Sequence, residues 1–265
     1  MRQQGSSVMT SWDRIQRRLE ADLGEAISLD ALTGTWKIVQ RVAGHRHSAD
    51  DVLTAHYAIR AVPDAELVLD LGTGIGTVGL MVLSRLAPTA RLVGVEAQAV
   101  SFRLLLANIE GNGVEDRVEP RVGDLRDFVD ERRFRLVTGS PPYFPLGTGV
   151  LPDDPQKVAA RFETRGDVSD YARAAARHLA DDGTFVFCFP TPQRSRALAA
   201  VSGAGLVTVS YQDVIPRETL SPLFTLFAAK RTGTLVVEEP LVVRRQDGEL
   251  TDEMRAVRRG FGFTT

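Results

Sequence analysis

The sequence predicts an α/β protein: a Rossmann-like, doubly wound, mostly parallel seven-stranded sheet with an antiparallel edge pair and an N-terminal helical and hairpin leader. Three observations carry this. Short apolar runs such as Leu67-Val-Leu and Leu92-Val-Gly-Val95 read as strands buried on both faces. Segments with helical apolar spacing separate them at βα-unit intervals, which implies right-handed crossovers. A glycine turn, Gly72-Thr73-Gly74-Ile75-Gly76, follows the first such strand and opens a helix.

The elements follow in order. Residues 11–24 have helical spacing, with Trp12, Ile15 and Leu19 on one side and Arg14, Arg17 and Arg18 on a solvated face. Residues 35–43 alternate as a strand that Gly44 ends. Ser48-Ala-Asp-Asp51 has the spacing of a capping box and starts a helix burying Val52, Leu53, His56, Ile59 and Ala61 or close neighbours. A strand at 67–71 leads to a helix at 77–86, and a strand at 91–95 to a helix at 98–111 with Phe102, Leu105, Leu106 and Ile109 inward. Strands at 117–122 and 134–138 follow. The link 145–166 exceeds the ~12–15 residues usual for a structureless loop, which suits a substrate loop. Tyr171, Ala174, Ala175 and Leu179 mark a further helix, 184–189 a buried strand and 192–202 another helix. Strands near 205–212 and 223–230 have no helix between them, so they pair antiparallel at the sheet edge. A strand and a basic helix around Met254, Ala256 and Val257 fill 232–265.

Composition narrows the function. A formal charge of −2 over 265 residues leaves any nucleic-acid surface to local patches. The lone cysteine, Cys188, excludes an internal disulfide, fits a reducing compartment and reads as a core residue. Met1 to Thr10 carry no apolar signal region, and no run approaches ~18 apolar residues, so a cytoplasmic protein without a membrane span is expected. His45-Arg-His47 lacks any accompanying metal motif, so no metal is expected. Oligomeric state, monomer or dimer, stays open.

The glycine turn allows two registers. Gly74-Ile-Gly76-Thr-Val-Gly79 satisfies the G-x-G-x-x-G dinucleotide pattern of an NAD-dependent oxidoreductase. Asp70-x-Gly72-x-Gly74-x-Gly76 places a carboxylate at the strand end, which repels a pyrophosphate but tolerates the ammonium of S-adenosylmethionine. Glu96 ends the next strand about 20 residues past Gly76, where a carboxylate accepts ribose hydroxyls of either cofactor. Asp124, after the third strand, is placed to reach an adenine amine, or serves as a turn residue. Ser140-Pro141-Pro142-Tyr143-Phe144 follows the fourth strand. Its prolines fix an extended backbone and remove N–H donors, leaving carbonyls for an amino group, and its two aromatics offer faces to a planar ring.

These residues resemble the class I S-adenosylmethionine-dependent methyltransferases, in particular the N-P-P-Y group that methylates planar amino groups. More narrowly they resemble the bacterial tRNA(Val) adenine-N6 methyltransferase family. The resemblance spans about residues 29–260. It includes Leu29-Asp-Ala-Leu32, Gly44-His-Arg-His-Ser-Ala-Asp-Asp-Val-Leu53, the glycine motif, Val95-Glu96-Ala-Gln98, Asn108, Pro141-Pro-Tyr-Phe144 and Ala160-Arg161-Phe-Glu163. It implies that Asp70, Gly72, Thr73, Gly74 and Gly76 surround the cofactor's methionine part, with Arg46 near that end, Glu96 on its ribose and Asp124 on its adenine. Ser140, Pro141, Pro142 and Tyr143 would be catalytic, with Tyr143 stacking the base, and Phe144 and Arg161 would meet substrate. Two departures stand out. Ser140 replaces the family's Asn, as in the similar S-P-P-Y motif of cytosine-N4 DNA methyltransferases, and His45 and His47 replace an aromatic. The implied reaction is transfer of methyl to an exocyclic amine, adenine N6 in tRNA. Arg132/Arg133/Arg135, Arg161/Arg165, Arg244/Arg245 and Arg255/Arg258/Arg259 are candidate phosphate contacts. The alternatives are a protein glutamine or small-molecule amine as acceptor, or a cofactor-binding module that has lost catalysis. On this reading residues 1–62 form the leader, 63–232 the methyltransferase core and 233–265 an extension.

Overall fold

A computed structural model describes residues 10–264, so Met1 to Met9, on which part of the signal-region argument rested, lie outside the described residues. The leader comprises α1 (Ser11–Leu23), the hairpin β1 (Ile27–Ala31) and β2 (Lys37–Arg41), and α2 (Ala49–Ala61). The core runs β3 (Leu67–Leu71), α3 (Thr77–Leu83), β4 (Arg91–Glu96), α4 (Ala99–Asn112), β5 (Val118–Val122) and β6 (Phe134–Gly139). It continues through α5 (Pro155–Arg161), α6 (Val168–His178), β7 (Leu179–Pro190), α7 (Arg194–Gly203), β8 (Val207–Ile215) and β9 (Phe224–Lys230). Last come β10 (Val236–Val242) and α8 (Asp252–Gly260).

The large sheet has the order β10-β8-β9-β7-β6-β3-β4-β5. Neighbours from β7 through β5 are parallel, and β9 runs antiparallel to both β7 and β8. The expected seven strands are therefore joined by an eighth. β10 pairs parallel with β8, so the antiparallel pair is covered rather than forming the edge. Chain order reverses around β3, whose neighbours are β4 and β6, and a crevice opens at their carboxyl ends, the usual ligand position in such sheets.

Strand alternation divides the core in two. Val68, Leu92, Leu136 and Val186 face the layer of α2, α3 and α4, while Leu69, Val93, Val137 and Phe185 face α6 and α7. On the second face Phe185, Phe187 and Phe227 stack with centroids 4.7 and 4.8 Å apart, each pair contributing about 0.5–1.5 kcal/mol beyond its buried area. Cys188 points the opposite way, fully buried beneath α2. α2 buries Leu53 of the expected stripe with its neighbours Thr54, Ala55, Tyr57 and Ala58, while Val52, His56 and Ile59 are half-buried and Ala61 is exposed, because it wedges between the sheet and α3. Likewise Leu106 on α4 is exposed while Leu104, Ala107 and Asn108 are buried. Asn108 explains the shift: it accepts the Val39 N–H at 2.7 Å and donates to the Ile75 carbonyl at 2.9 Å, tying hairpin, glycine turn and α4 together. Ala256 is exposed on α8, which seats Met254 and Val257. The turn of the leader hairpin meets the other end of the chain, where the Gly34 N–H donates to the Phe261 carbonyl at 2.8 Å.

Candidate active site

Asp70, one residue before the end of β3, is 2% exposed. Thr73 and Thr138 donate hydroxyl protons to it at 2.6 and 2.7 Å, and Gly79 donates its N–H at 3.1 Å. Burial pushes its carboxyl above the ordinary range while these donors pull the other way. Its immediate work is thus to brace the turn across three elements. Gly79 also loses its dinucleotide reading: a Cβ there would sit 2.9 Å from an Asp70 carboxylate oxygen, so the third glycine serves close packing. Gly72 and Gly74 both have φ +61°, and a Cβ on Gly72 would lie 2.2 Å from the Tyr171 hydroxyl, whereas one on Gly74 meets open space.

Glu96, at the end of β4, accepts the Gly74 N–H at 2.8 Å and the Gln98 N–H at 2.6 Å. It therefore couples the glycine turn to the start of α4, and burial pushes its carboxyl up. Asp124 lines the same cavity but is held by Arg126 through contacts of 2.9 and 2.7 Å, which lower its pKa.

The cavity wall also includes Gly72, Thr73, Gly74, Ser140 and Pro142. Other expected site residues sit elsewhere. Arg46 is drawn away to the hairpin, donating to Ser28 and Asp30 at 2.7 and 3.0 Å. Gly76 caps α3 behind the wall. Pro141 is buried beside it. Tyr143 is fixed in place: its hydroxyl donates to Asp50 at 2.9 Å, its ring packs edge-on to Phe189, and its carbonyl accepts from Gln193 at 2.8 Å. Phe144 is 44% exposed and leans on Phe162, with its backbone bonded to Arg161 and Glu163. The Arg161 side chain is exposed and close enough to His45 to lower its pKa, although burial does so more. Several expected phosphate-binding arginines are spent internally: Arg132 on Asp130 and Glu119, Arg135 on Asp64 and Asp182, Arg245 on Asp252, and Arg255 on Glu249 and Asp252.

The link 145–166 is not structureless. Asp154 caps α5 and Pro155 opens it, a start signal present in the sequence but passed over. α5 roofs the cavity with Gln156, Ala159 and Ala160. Gln156 is 3% exposed, donates to Ser101 at 3.0 Å and accepts from Arg41 and the His45 N–H at 3.0 and 3.2 Å. Tyr171 reaches the wall from α6, and burial followed by Glu96, Asp70 and Asp124 raises its hydroxyl's pKa. Asp51 is a further wall carboxyl, pushed well up by burial and by Asp50. Neither Tyr171 nor Asp51 carried a site signal, since helix-core and capping roles explain both.

A wall of Asp51, Asp70, Glu96 and Asp124 suits a cationic, hydroxyl-bearing nucleoside and opposes a pyrophosphate. The model of the TRM5/TYW2 methyltransferase domain matches residues 47–143. A predicted O-methyltransferase from Agrobacterium tumefaciens superposes with a TM-score of 0.60 at 19% identity, over 80% of this chain and 96% of that one. The tRNA m1G37 methyltransferase of M. jannaschii gives 0.54 at 12%, over 78% and 57%. The chain is an S-adenosylmethionine-dependent methyltransferase, with S-adenosylmethionine as its cofactor. Within that class it resembles the tRNA1(Val) (adenine(37)-N6)-methyltransferases. It is 29% identical to that of Phocaeicola vulgatus over 80% of this chain and 88% of the relative, and 22% identical to that of Actinobacillus pleuropneumoniae over 77% and 85%. Among the described residues no helix is long and apolar enough to cross a membrane.

Proposed function

We propose that this enzyme methylates the exocyclic amine of an adenine in tRNA, the reaction its relatives are named for, and that it works in the cytoplasm. The observation that carries this reading is the shared wall. Ser140 and Pro142, at the end of β6, border the same cavity as Gly74 and Glu96, at the ends of neighbouring strands. An amine held at the first pair faces a cofactor held at the second.

When bound, the cofactor supplies an electrophilic methyl group on a sulfonium. Glu96 would accept the ribose hydroxyls, Asp124 would face the adenine, and the Gly72–Gly74 backbone would lie along the methionine part. Asp51 and Asp70, when ionised, would favour the cationic donor over its neutral product. The proline pair withholds N–H donors near the acceptor nitrogen, so carbonyls receive its protons and leave its lone pair for attack. Methyl transfer from that sulfonium would leave the bonding pair on sulfur, and the amine held by these carbonyls would release one N–H proton to water. Positioning of this kind supplies up to ~7–11 kcal/mol. Arg161, beside the mouth, would meet phosphate.

Transfer of labelled methyl onto unfractionated tRNA, followed by nucleoside mass spectrometry, tests the reading. N6-methyladenosine is expected. Label in protein glutamine, or in neither polymer while cofactor binds, would overturn it.

A further inference from the structure

Ser140 stands where the related motif carries an amide, and a hydroxyl can act as donor or acceptor. Its surroundings decide between them. Tyr143 gives its only hydroxyl proton to Asp50 at 2.9 Å, so the phenol oxygen has only lone pairs for its other neighbour, the Cys188 sulfur at 3.3 Å. Cys188 is fully buried, and burial pushes its thiol up to about 12, so it keeps its proton. That single thiol proton has two oxygens in reach, the phenol oxygen at 3.3 Å and Ser140 Oγ at 3.8 Å. Ser140 Oγ therefore meets the protein only at a sulfur, a weak partner in either direction. Its own proton finds no oxygen or nitrogen acceptor on the protein among the described residues, and the residue lines the cavity.

We propose that Ser140 is a specificity-determining donor. Its hydroxyl hydrogen-bonds the ring nitrogen adjacent to the target amine, while a backbone carbonyl of the proline pair accepts from the amine itself. The site then reads an amidine edge, an amino group beside an unprotonated ring nitrogen as in adenine, and not an amine alone. Cys188 acts through Ser140 as a positioning residue by holding the hydroxyl's rotamer. A hydroxyl aimed at the amine nitrogen would instead tie up the lone pair that must attack. This inference rests on the tRNA adenine reading and adds the contact that recognises the base.

The test compares a tRNA1(Val) transcript carrying adenosine at position 37 with one carrying 1-deazaadenosine there, which keeps the amine and lacks the neighbouring ring nitrogen. Wild-type enzyme should favour adenosine about fivefold to tenfold in kcat/KM, the scale of one neutral hydrogen bond. Ser140→Ala should be slower on adenosine and lose the preference, with cofactor affinity unchanged as evidence of folding. Cys188→Ala should weaken the preference and Cys188→Ser, which restores a donor, should recover it. Equal rates of wild type on both transcripts, or an undiminished preference in Ser140→Ala, overturns the inference while leaving the function intact. No methylation of the adenosine transcript or of bulk tRNA overturns the functional reading and the inference with it.

Discussion

Arg41 on β2 grips Asp154 at the head of α5 with both guanidinium nitrogens, at 3.2 and 2.7 Å, while its Nε holds Glu25 at 2.6 Å. Arg41 is 12% and Asp154 18% exposed in their side chains, so this bidentate pair works largely out of water. It fastens the cavity roof to the leader. Arg41→Ala should destabilise the fold by about 2–3 kcal/mol, less than the ~3–5 of a fully buried broken pair. Isothermal titration should show cofactor affinity falling about tenfold, because the roof is no longer held. Unchanged affinity would mean that α5 stays in place without the latch.

Two of the turn's left-handed glycines, Gly72 and Gly74, should respond differently to a methyl group. Gly72→Ala would drive its Cβ to 2.2 Å from the Tyr171 hydroxyl and should lose both stability and cofactor binding. Gly74→Ala meets no atom, so it should cost only the ~1 kcal/mol of placing alanine at positive φ, yet weaken the cofactor by projecting into the cavity. Thermal melts with and without cofactor separate the two.

Asp51, Asp70 and Glu96 all have folded-state pKa values raised above their ordinary 3.8 to 4.5, chiefly by burial. A carboxyl raised on folding contributes stability that is fully present below its unfolded pKa and is lost as pH rises through its folded one. From about pH 4 upward, these three groups therefore progressively oppose the empty fold. A bound cation favours their ionised forms, so the stabilisation by cofactor should grow with pH. The melting shift induced by S-adenosylmethionine should be larger at pH 8 than at pH 5.5, and Asp51→Asn should reduce that difference. A shift that stays constant with pH would show that these carboxyls do not sense the ligand.

Gln193 bonds the Tyr143 carbonyl at 2.8 Å, and Arg196 steadies Gln193 at 2.6 Å while pairing with Glu163 at 2.7 Å. This chain clamps the loop that follows the proline pair proposed to bind the amine. Gln193→Ala should lower kcat about tenfold with cofactor affinity intact, and Gln193→Asn should fail to restore it because its reach is shorter. A loss confined to cofactor KM would place Gln193 in a different role.

The strands were legible because parallel strands buried on both faces announce themselves as apolar runs, which Glu96 ends and Ser140 follows. Helix faces were less legible. α2 and α4 are covered on more than one side, so Thr54 and Asn108 are buried although periodicity favours apolar neighbours. The aromatic at Tyr143 was visible after two prolines, but not the Asp50 carboxylate that fixes its hydroxyl, which is distant in sequence and adjacent in space. Asp70 showed the same limit: a strand-end carboxylate is visible, but the Thr138 hydroxyl that occupies it arrives from another strand.

The bond from the Gly34 N–H to the Phe261 carbonyl joins the hairpin that carries Arg41 to a segment made more than two hundred residues later. During synthesis, the Rossmann-like core has every strand it needs before that partner exists. The hairpin gains its last support only after α8 has emerged, and the roof it fastens is secured then. A nascent chain that has not yet reached residue 261 would thus hold the hairpin without that bond, and the roof latched by Arg41 would rest on a hairpin one support short.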